Sequence, residues 1–389
     1  MKHYKIRLER IFILLLLIAI ILTIVSIICV HLFKKPKNNV KKLTIDNYKE
    51  NLNFKGTYIK ENQIYDNYVS VMYNENGKEI GYLVNLNTGK IEDIKDIIIA
   101  KKSNDFDSKI LELLKLKYPS KIANLLMKTT KNYYFDANEL YIYYDKPNDL
   151  NTERIFSLKI NYNEINKYLK NKINATNEYE NETGFIYDKN KITIALTFDD
   201  GPAGSKTESL IDALEDYKMS ATFFMIGNKL SKFPDSVKKV YNSHSEVGYH
   251  SYAHTKLTSQ DSKTISDEFN ITNKTFNSIT GGYLKLTRPP YGNYNKEVLN
   301  AIDNAFIRWN IDTNDWKYKD VDYLYNYVLE NLQDRSIILF HDTYQTSVDA
   351  AIKLIEELYL RDIQVLSISN IANLTETELT NHEVYFNFK

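Results

Sequence analysis

The stretch Ile192-Thr193-Ile194-Ala195-Leu196-Thr197-Phe198-Asp199-Asp200-Gly201-Pro202 decides how this chain is read. An almost unbroken apolar run with β-branched residues predicts a buried strand over Ile192–Phe198, stopped by two carboxylates and a Gly-Pro turn. Further short β-rich runs follow at Ala221–Gly227, Glu246–Ser251, Leu286–Pro289, Phe306–Asp312, Ser336–His341 and Gln364–Ser369. Helical patterns lie between them, at Glu208–Tyr217, Lys263–Ile279, Val321–Asn331 and Ser347–Leu360. Repeated βα units with apolar strands predict a parallel sheet covered by helices. Seven strands in this length are too few for a regular eightfold barrel. The fold class is therefore α/β, with a distorted (β/α)7-type barrel as the catalytic domain over 186–374. No glycine-rich phosphate loop follows the first strand; Gly201-Pro202 is followed only by Gly204.

Upstream the rhythm changes. Tyr68–Tyr73, Ile80–Leu86 and Phe156–Tyr162 alternate or cluster like strands, with turns at Glu75-Asn76-Gly77 and Asn87-Thr88-Gly89. Asp107 is placed to cap a helix carrying Ile110, Leu111, Leu113 and Leu114, broken at Pro119 and resumed through Ile122, Leu125 and Leu126. A small α+β domain is predicted over 45–185, which contains no histidine. Before it, Ile11–Phe33 is apolar except for Thr23, Ser26 and His31, long enough to cross a hydrocarbon core of roughly 30 Å. Cys29-Val30-His31-Leu32-Phe33 offers no small-x-small cleavage site, so residues 1–33 are predicted to be a short tip and an uncleaved transmembrane helix. Lysine and arginine flank it on both sides, so charge does not set its orientation. Residues 34–44 form a basic tether and 375–389 a C-terminal tail. Residues 34–185 carry 25 basic and 21 acidic residues, against 21 and 28 for 186–389; the domain at 45–185 reads as a plain α+β spacer or, more sharply, as a domain attracted to an anionic wall polymer.

Composition narrows the function. The 389 residues hold 50 basic and 50 acidic side chains, so nothing in the net charge favours a nucleic acid, and none is predicted as a partner. A single cysteine, Cys29, excludes an intramolecular disulfide and a cysteine-based metal site. The 31 tyrosines, with much Ile, Lys and Asn, reflect coding bias more than function.

The polar groups that could carry chemistry fall at strand ends, where parallel barrels place their active sites. Asp199 and Asp200 point different ways from an extended chain, so one can ligate a metal while the other stays free as a base. Alone, such a pair is more commonly a turn. His250 and His254 stand at i and i+4, a spacing that puts two imidazoles on one face of a helical turn. Two histidines and a carboxylate leave open positions, as in a catalytic rather than a structural site. Beyond them come Arg288-Pro289-Pro290-Tyr291-Gly292, Trp309, Asp312-Thr313-Asn314-Asp315-Trp316 and Leu339-Phe340-His341-Asp342. A third histidine across the site, His341, could act as general acid.

In this order the motifs resemble the five motifs of the polysaccharide deacetylases, the NodB-homology domain of carbohydrate esterase family 4. The resemblance covers about 190–372. It implies one divalent ion, commonly zinc, with cobalt or manganese as alternatives, held by Asp200, His250 and His254. It implies Asp199 as general base, Arg288 as the residue that orients it, the Tyr291 backbone N–H at the oxyanion, His341 as general acid held by Asp315, and Trp309 and Leu339 lining the acetyl pocket. The Gly201-Pro202 ending resembles the N-acetylglucosamine branch; the N-acetylmuramic branch usually shows a tyrosine after the glycine. The expectation is a single-pass membrane protein with its catalytic domain outside the cell, acting on N-acetylglucosamine of peptidoglycan. N-acetylmuramic acid, chitin-like glycan and a catalytically silent wall-binding protein are the rival readings. No protein partner is predicted.

Overall fold

A computed structural model describes residues 43–44, 47–65, 67–137, 139–173 and 188–388. The expected anchor at 11–33 lies outside the described residues, and no helix among the described residues is long and apolar enough to cross a membrane.

The first lobe holds two antiparallel sheets. Strands β1 (Thr57–Tyr65), β2 (Tyr68–Glu75), β3 (Lys78–Asn85) and β4 (Lys90–Glu92) form one in sequence order; β5 (Lys131–Phe135), β6 (Glu139–Tyr144) and β7 (Phe156–Asn161) form the other. The predicted strands are there, and Asn76 and Gly77 take the left-handed conformations that a tight hairpin between β2 and β3 requires. The sheets meet where β5 crosses β3: a Cβ at Gly81 would run into the Tyr133 carbonyl, and Phe135 N–H donates to Ser70 Oγ at 2.9 Å. The helix Ser103–Lys117 buries Phe106, Ile110 and Leu114, one stripe at i, i+4 and i+8. Asp107 does not cap it. The helix starts at Ser103, one turn earlier, and Asp107 lies on its exposed outer face.

Strands β8 (Thr193–Asp199), β9 (Thr222–Met225), β10 (Glu246–Tyr249), β11 (Leu286–Thr287), β12 (Ala305–Ile307), β13 (Ile311–Asp312), β14 (Ile337–His341), β15 (Gln364–Val365) and β16 (Val384–Tyr385) build one parallel sheet. Its order is β13-β14-β8-β9-β10-β11-β12-β16, with β15 also on β8. The run predicted as one strand over Phe306–Asp312 is two, at opposite ends of this order. Its first half pairs with β11 and its second with β14. Consecutive segments at both ends mean that the sheet curls back on itself, a distorted α/β half-barrel rather than a regular closed one. Part of the run predicted as a strand over Gln364–Ser369 is instead the start of the helix Ile368–Leu374. The expected tail contributes β16, which pairs with β12, and Phe388, which is buried against Ala195, Phe224 and Ile337.

Alternation along β8 sets the layers. Ile194, Leu196 and Phe198 face the helices, with Leu210, Leu214, Ile355 and Leu358 in the same core. Ala195 faces the interior of the curled sheet, and the period of two puts Thr197 and Asp199 on that same inner face. β14 runs in register beside it, Leu339 opposite Thr197 and His341 opposite Asp199.

The first lobe docks on the outer layer. Ser120 N–H donates to Asp216 at 3.0 Å, Lys121 pairs with Glu356, Thr152 Oγ1 donates to the Leu360 carbonyl at 2.6 Å and Arg154 to the Tyr359 carbonyl at 3.0 Å. Asp216, Glu356, Tyr359 and Leu360 lie in the last turns of the helices Ser205–Asp216 and Gln345–Leu360. In βα units helix C-termini share an end with strand N-termini, so the docking surface is opposite the strand ends that carry Asp199 and His341.

Candidate active site

The site is built on the C-terminal rim of β8, β10, β11 and β14. Asp199 is the last residue of β8 and is 3% exposed. Its Oδ1 accepts from Arg288 Nη1 at 2.9 Å, while its Oδ2 lies 3.6 Å from His250 Nε2. Arg288 is fully buried. Its Nη1 also donates to Thr197 Oγ1 at 2.8 Å, its Nε to the Ile307 carbonyl at 3.1 Å and its Nη2 to the Arg308 carbonyl at 2.9 Å. Four acceptors around one guanidinium fix both its charge and its plane. Burial pushes the Asp199 carboxyl up, and the charge of Arg288 opposes that. A carboxylate so held keeps one oxygen engaged and one free to take a proton.

Asp200 has turned away from its neighbour. It takes a left-handed φ of 73°, uncommon for a non-glycine residue. Its Oδ1 is 3.5 Å from His250 Nε2 and 3.2 Å from His254 Nε2. This oxygen is buried and has no hydrogen-bond partner. His250 Nδ1 sits 2.6 Å from the Arg288 carbonyl, which can only accept, so the proton is on Nδ1 and the Nε2 lone pair points at Asp200. Burial holds His250 neutral, pushed down to about 3 against the attraction of Asp200. Ligand atoms of Asp200, His250 and His254 lie within 4.8 Å of one another. An orphaned carboxylate oxygen facing imidazole lone pairs fits a divalent cation.

Across the rim, His341 closes β14. Its backbone N–H and its Nδ1 each bond one oxygen of Asp315, both at 2.7 Å, and Asp315 is fully buried. Burial acts to lower the His341 pKa; the Asp315 bond and the charges of Asp199 and Asp200 outweigh it and push it up to about 9. Asp315 thus fixes the tautomer and leaves Nε2–H directed away.

Tyr291 stands in a turn with φ 60°, its ring centre 4.9 Å from that of His254. The turn's own bonds come from Gly292 and Asn293 N–H, not from Tyr291. Leu339 is buried on the inner face between Ile337 and His341. Trp309 lies behind the Arg288 guanidinium, 5.5 Å from it. The structure thus gathers the two aspartates, the histidine pair, Arg288, Asp315 and His341 on one rim, with Tyr291 and Leu339 beside them and Trp309 one layer back.

Three residues escaped the sequence reading. Thr197 relays Arg288 to β14, donating to the Ile338 carbonyl at 2.6 Å; its i, i+2 spacing from Asp199 was the available signal. Lys229 donates to the Asp200 carbonyl at 2.7 Å, and nothing local marks it. Asp342 is fully buried, accepts from Thr207 Oγ1 and lies so close beneath Gly201 that a Cβ there would collide with it. Burial pushes it up to about 7, against Thr207 and Lys229. A carboxylate directly after a strand-end histidine was its signal.

Comparison with known proteins identifies the family. The model of the family described as "Polysaccharide deacetylase" matches residues 187–308, a span that includes the aspartate pair, the histidine pair, Arg288 and Tyr291. A peptidoglycan-N-acetylglucosamine deacetylase of Bacillus cereus is 34% identical over 189 residues, which cover 47% of this chain and 69% of that one. The peptidoglycan-N-acetylmuramic acid deacetylase PdaC of Bacillus subtilis is 34% identical, over 48% of this chain and 40% of its own length. The peptidoglycan-N-acetylglucosamine deacetylase PgdA of Listeria monocytogenes is 38% identical, over 40% and 33%. The chain belongs to the polysaccharide deacetylase family, carbohydrate esterase family 4. It spans 40% or less of the length of the last two relatives.

Proposed function

We propose that this chain is a metal-dependent N-deacetylase that hydrolyses the acetamide of N-acetylglucosamine units in peptidoglycan, releasing acetate and leaving a free amine. The observation that carries the reading is the meeting, on one sheet rim, of a carboxylate held by a buried arginine, a three-residue ligand set with an unsatisfied oxygen, and an imidazole held by a buried carboxylate. An N-acetyl amide is a poor electrophile with a poor leaving group, and the rim answers each difficulty with a different side chain.

Asp200, His250 and His254 would hold the ion, and two imidazoles with one carboxylate suit zinc, with cobalt or manganese as alternatives. When bound there, such an ion would supply Lewis acidity for the acetyl carbonyl and for a water. Asp199 Oδ2 takes the proton of the attacking water while Oδ1 stays on Arg288. The Tyr291 N–H, not used by its own turn, donates to the oxyanion as charge develops. His341 Nε2–H protonates the departing nitrogen, and Asp315 steadies the imidazolium. Leu339 walls the acetyl group, while Trp309, expected there, backs the Arg288 guanidinium one layer behind.

Gly201-Pro202 after the aspartate pair and the names of the Listeria and Bacillus cereus relatives support N-acetylglucosamine; the Bacillus subtilis relative keeps N-acetylmuramic acid as the rival. With Ile11–Phe33 as anchor, the catalytic lobe would stand outside the membrane, next to its polymer, and its product would resist lysozyme. Acetate release from chitooligosaccharide and from peptidoglycan is expected, to be abolished by chelator and restored by zinc. Mass spectrometry of the muropeptides should place the free amine on glucosamine. No metal-dependent acetate from any glycan would overturn the deacetylase reading, and free amine on muramic acid alone would overturn the substrate.

A further inference from the structure

Arg308 follows β12 and ties three segments together. Its backbone N–H donates to the Tyr385 carbonyl of β16 at 2.7 Å, and its own carbonyl accepts from Arg288 Nη2 at 2.9 Å. Its side chain reaches a third segment, with Nη1 donating to the Gly292 carbonyl. The guanidinium sits among three rings, its Cζ 4.8 Å from the centre of Trp309, 5.3 Å from that of Phe386 and 5.9 Å from that of Tyr294. A planar guanidinium stacks well on aromatic faces, and three of them fix its position. Its Nε–H is buried and has no hydrogen-bond partner, a cost that an arginine left in solvent would not carry.

The turn that Arg308 grips is the one that aims the Tyr291 N–H. Tyr291 and Gly292 take consecutive left-handed conformations, with φ of 60° and 65°. For a tyrosine that conformation is uncommon and persists only where the surroundings hold it. Tyr291 is 62% exposed, so core packing does not hold it there. The turn's own bonds run from Gly292 N–H to the Pro289 carbonyl at 2.9 Å and from Asn293 N–H to the Pro290 carbonyl at 3.2 Å. Arg308 adds a tie on the carbonyl side of Gly292, and Phe386 from the C-terminal segment packs on the guanidinium that makes it. We propose that Arg308, seated on the C-terminal segment, is a positioning residue for the turn that presents the Tyr291 N–H to the oxyanion. This rests on the deacetylase reading for the role of that N–H, and it gives residues 384–388 a part in the reaction, played through Arg308.

The test uses the metal-loaded full chain with chitopentaose and with an activated aryl acetate. A donor aimed at the oxyanion acts on the transition state more than on bound substrate. Arg308→Met should therefore lower kcat about tenfold, less than the loss of a whole oxyanion donor, with KM within about twofold and bound metal at the parent level. The ester should lose the same factor as the amide, because both develop the oxyanion. Phe386→Ala keeps the charge of Arg308 and loosens its seat, so kcat should fall about threefold in the same pattern. In both variants the Gly292 and Asn293 N–H groups should exchange with deuterium faster than in the parent. Parent kcat in both variants, or a raised KM with kcat unchanged, overturns the positioning role; parent kcat in Phe386→Ala alone overturns the part given to the C-terminal segment. If the parent releases no metal-dependent acetate, the deacetylase reading fails by itself. Exchange then decides the grip: faster exchange at Gly292 and Asn293 in both variants supports it, and parent rates overturn it.

Discussion

The two lobes bury different kinds of polar group. Among the described residues of the first, the buried polar side chains are Ser70, Asn85, Thr152 and Asn161, all uncharged. In the second they include Asp199, His250, Arg288, Asp315 and Asp342. Charge enters an interior only when it is paired or hydrogen-bonded, and doing so costs stability. The first lobe therefore reads as built for packing, from aromatic contacts such as Phe54 stacked 4.8 Å from Tyr73. The second accepts strain and buried charge on one rim, where Asp200, Ser251, His254, Tyr291 and Asn314 all take positive φ. Perturbed groups concentrated on one rim are the mark of a reactive site.

The comparison breaks hardest if the rim is disarmed without effect. Asp199→Asn and His341→Ala should each lower kcat by roughly 10²–10⁴ while retaining the ion; His250→Ala should lose the ion as well. Metal content beside initial rates checks this, and near-normal turnover in either of the first two would end the acid–base assignment. An activated aryl ester, which departs without protonation, should rescue His341→Ala and not Asp199→Asn; the reverse would exchange the two roles.

Next comes the buried pair. Arg288→Met leaves Asp199 in a dry site without its partner, a loss of about 3–5 kcal/mol in denaturant unfolding. The Asp199 carboxyl should rise further, moving the base limb of the pH–rate profile to higher pH.

A smaller effect is electrostatic. The His341 pKa, raised from 6.5 to about 9, means that its bond to Asp315 stabilises the metal-free fold fully below about 6.5 and loses that contribution as pH climbs through about 9. NMR titration of the metal-free protein should find this imidazole near 9. Asp315→Asn should bring it down, and a bound cation should also lower it by repulsion. Titration at the ordinary value in the parent would remove Asp315 from its role.

The smallest effect belongs to the first lobe. Thr152→Val and Arg154→Ala remove its bonds to the Leu360 and Tyr359 carbonyls. They should cost about 1 kcal/mol each and leave kcat on soluble oligosaccharide within a few-fold. A hundredfold loss would show that the first lobe shapes the rim.

How much of this was legible depended on burial and range. β8 was placed within a residue at each end because it is buried throughout its length. β1 was not seen, because Lys60-Glu61-Asn62-Gln63 breaks the pattern of a strand that is largely solvent-exposed. The split at Arg308-Trp309-Asn310 was invisible, since local sequence cannot say that one run serves two ends of a curled sheet. The two residues of β16 are too few to signal. In the site, the spacing named the right histidine pair but on the wrong element: His250–His254 is an irregular loop, not a helical turn, with Ser251 and His254 at positive φ, and it is this loop that turns both imidazoles toward Asp200. The pairing of Asp315 with His341, 26 residues apart, followed only from resemblance. The positive balance of 34–185 is also local: 45–185 alone has 20 basic and 21 acidic residues, so the excess comes from the tether lysines, and attraction to an anionic polymer would rest on them.

The docking of the first lobe on helix C-termini, opposite the reactive rim, has a consequence for height. In the proposed anchored arrangement that lobe would be a plinth, between the membrane and the barrel. Asp199 and His341 would then work at a fixed elevation, set by the tether and the thickness of the plinth. Glycan strands lying flush on the lipid would pass underneath, and those one storey up would be within reach. The molecule would select its substrate by altitude as well as by chemistry, and a longer tether would shift the layer of wall that is modified.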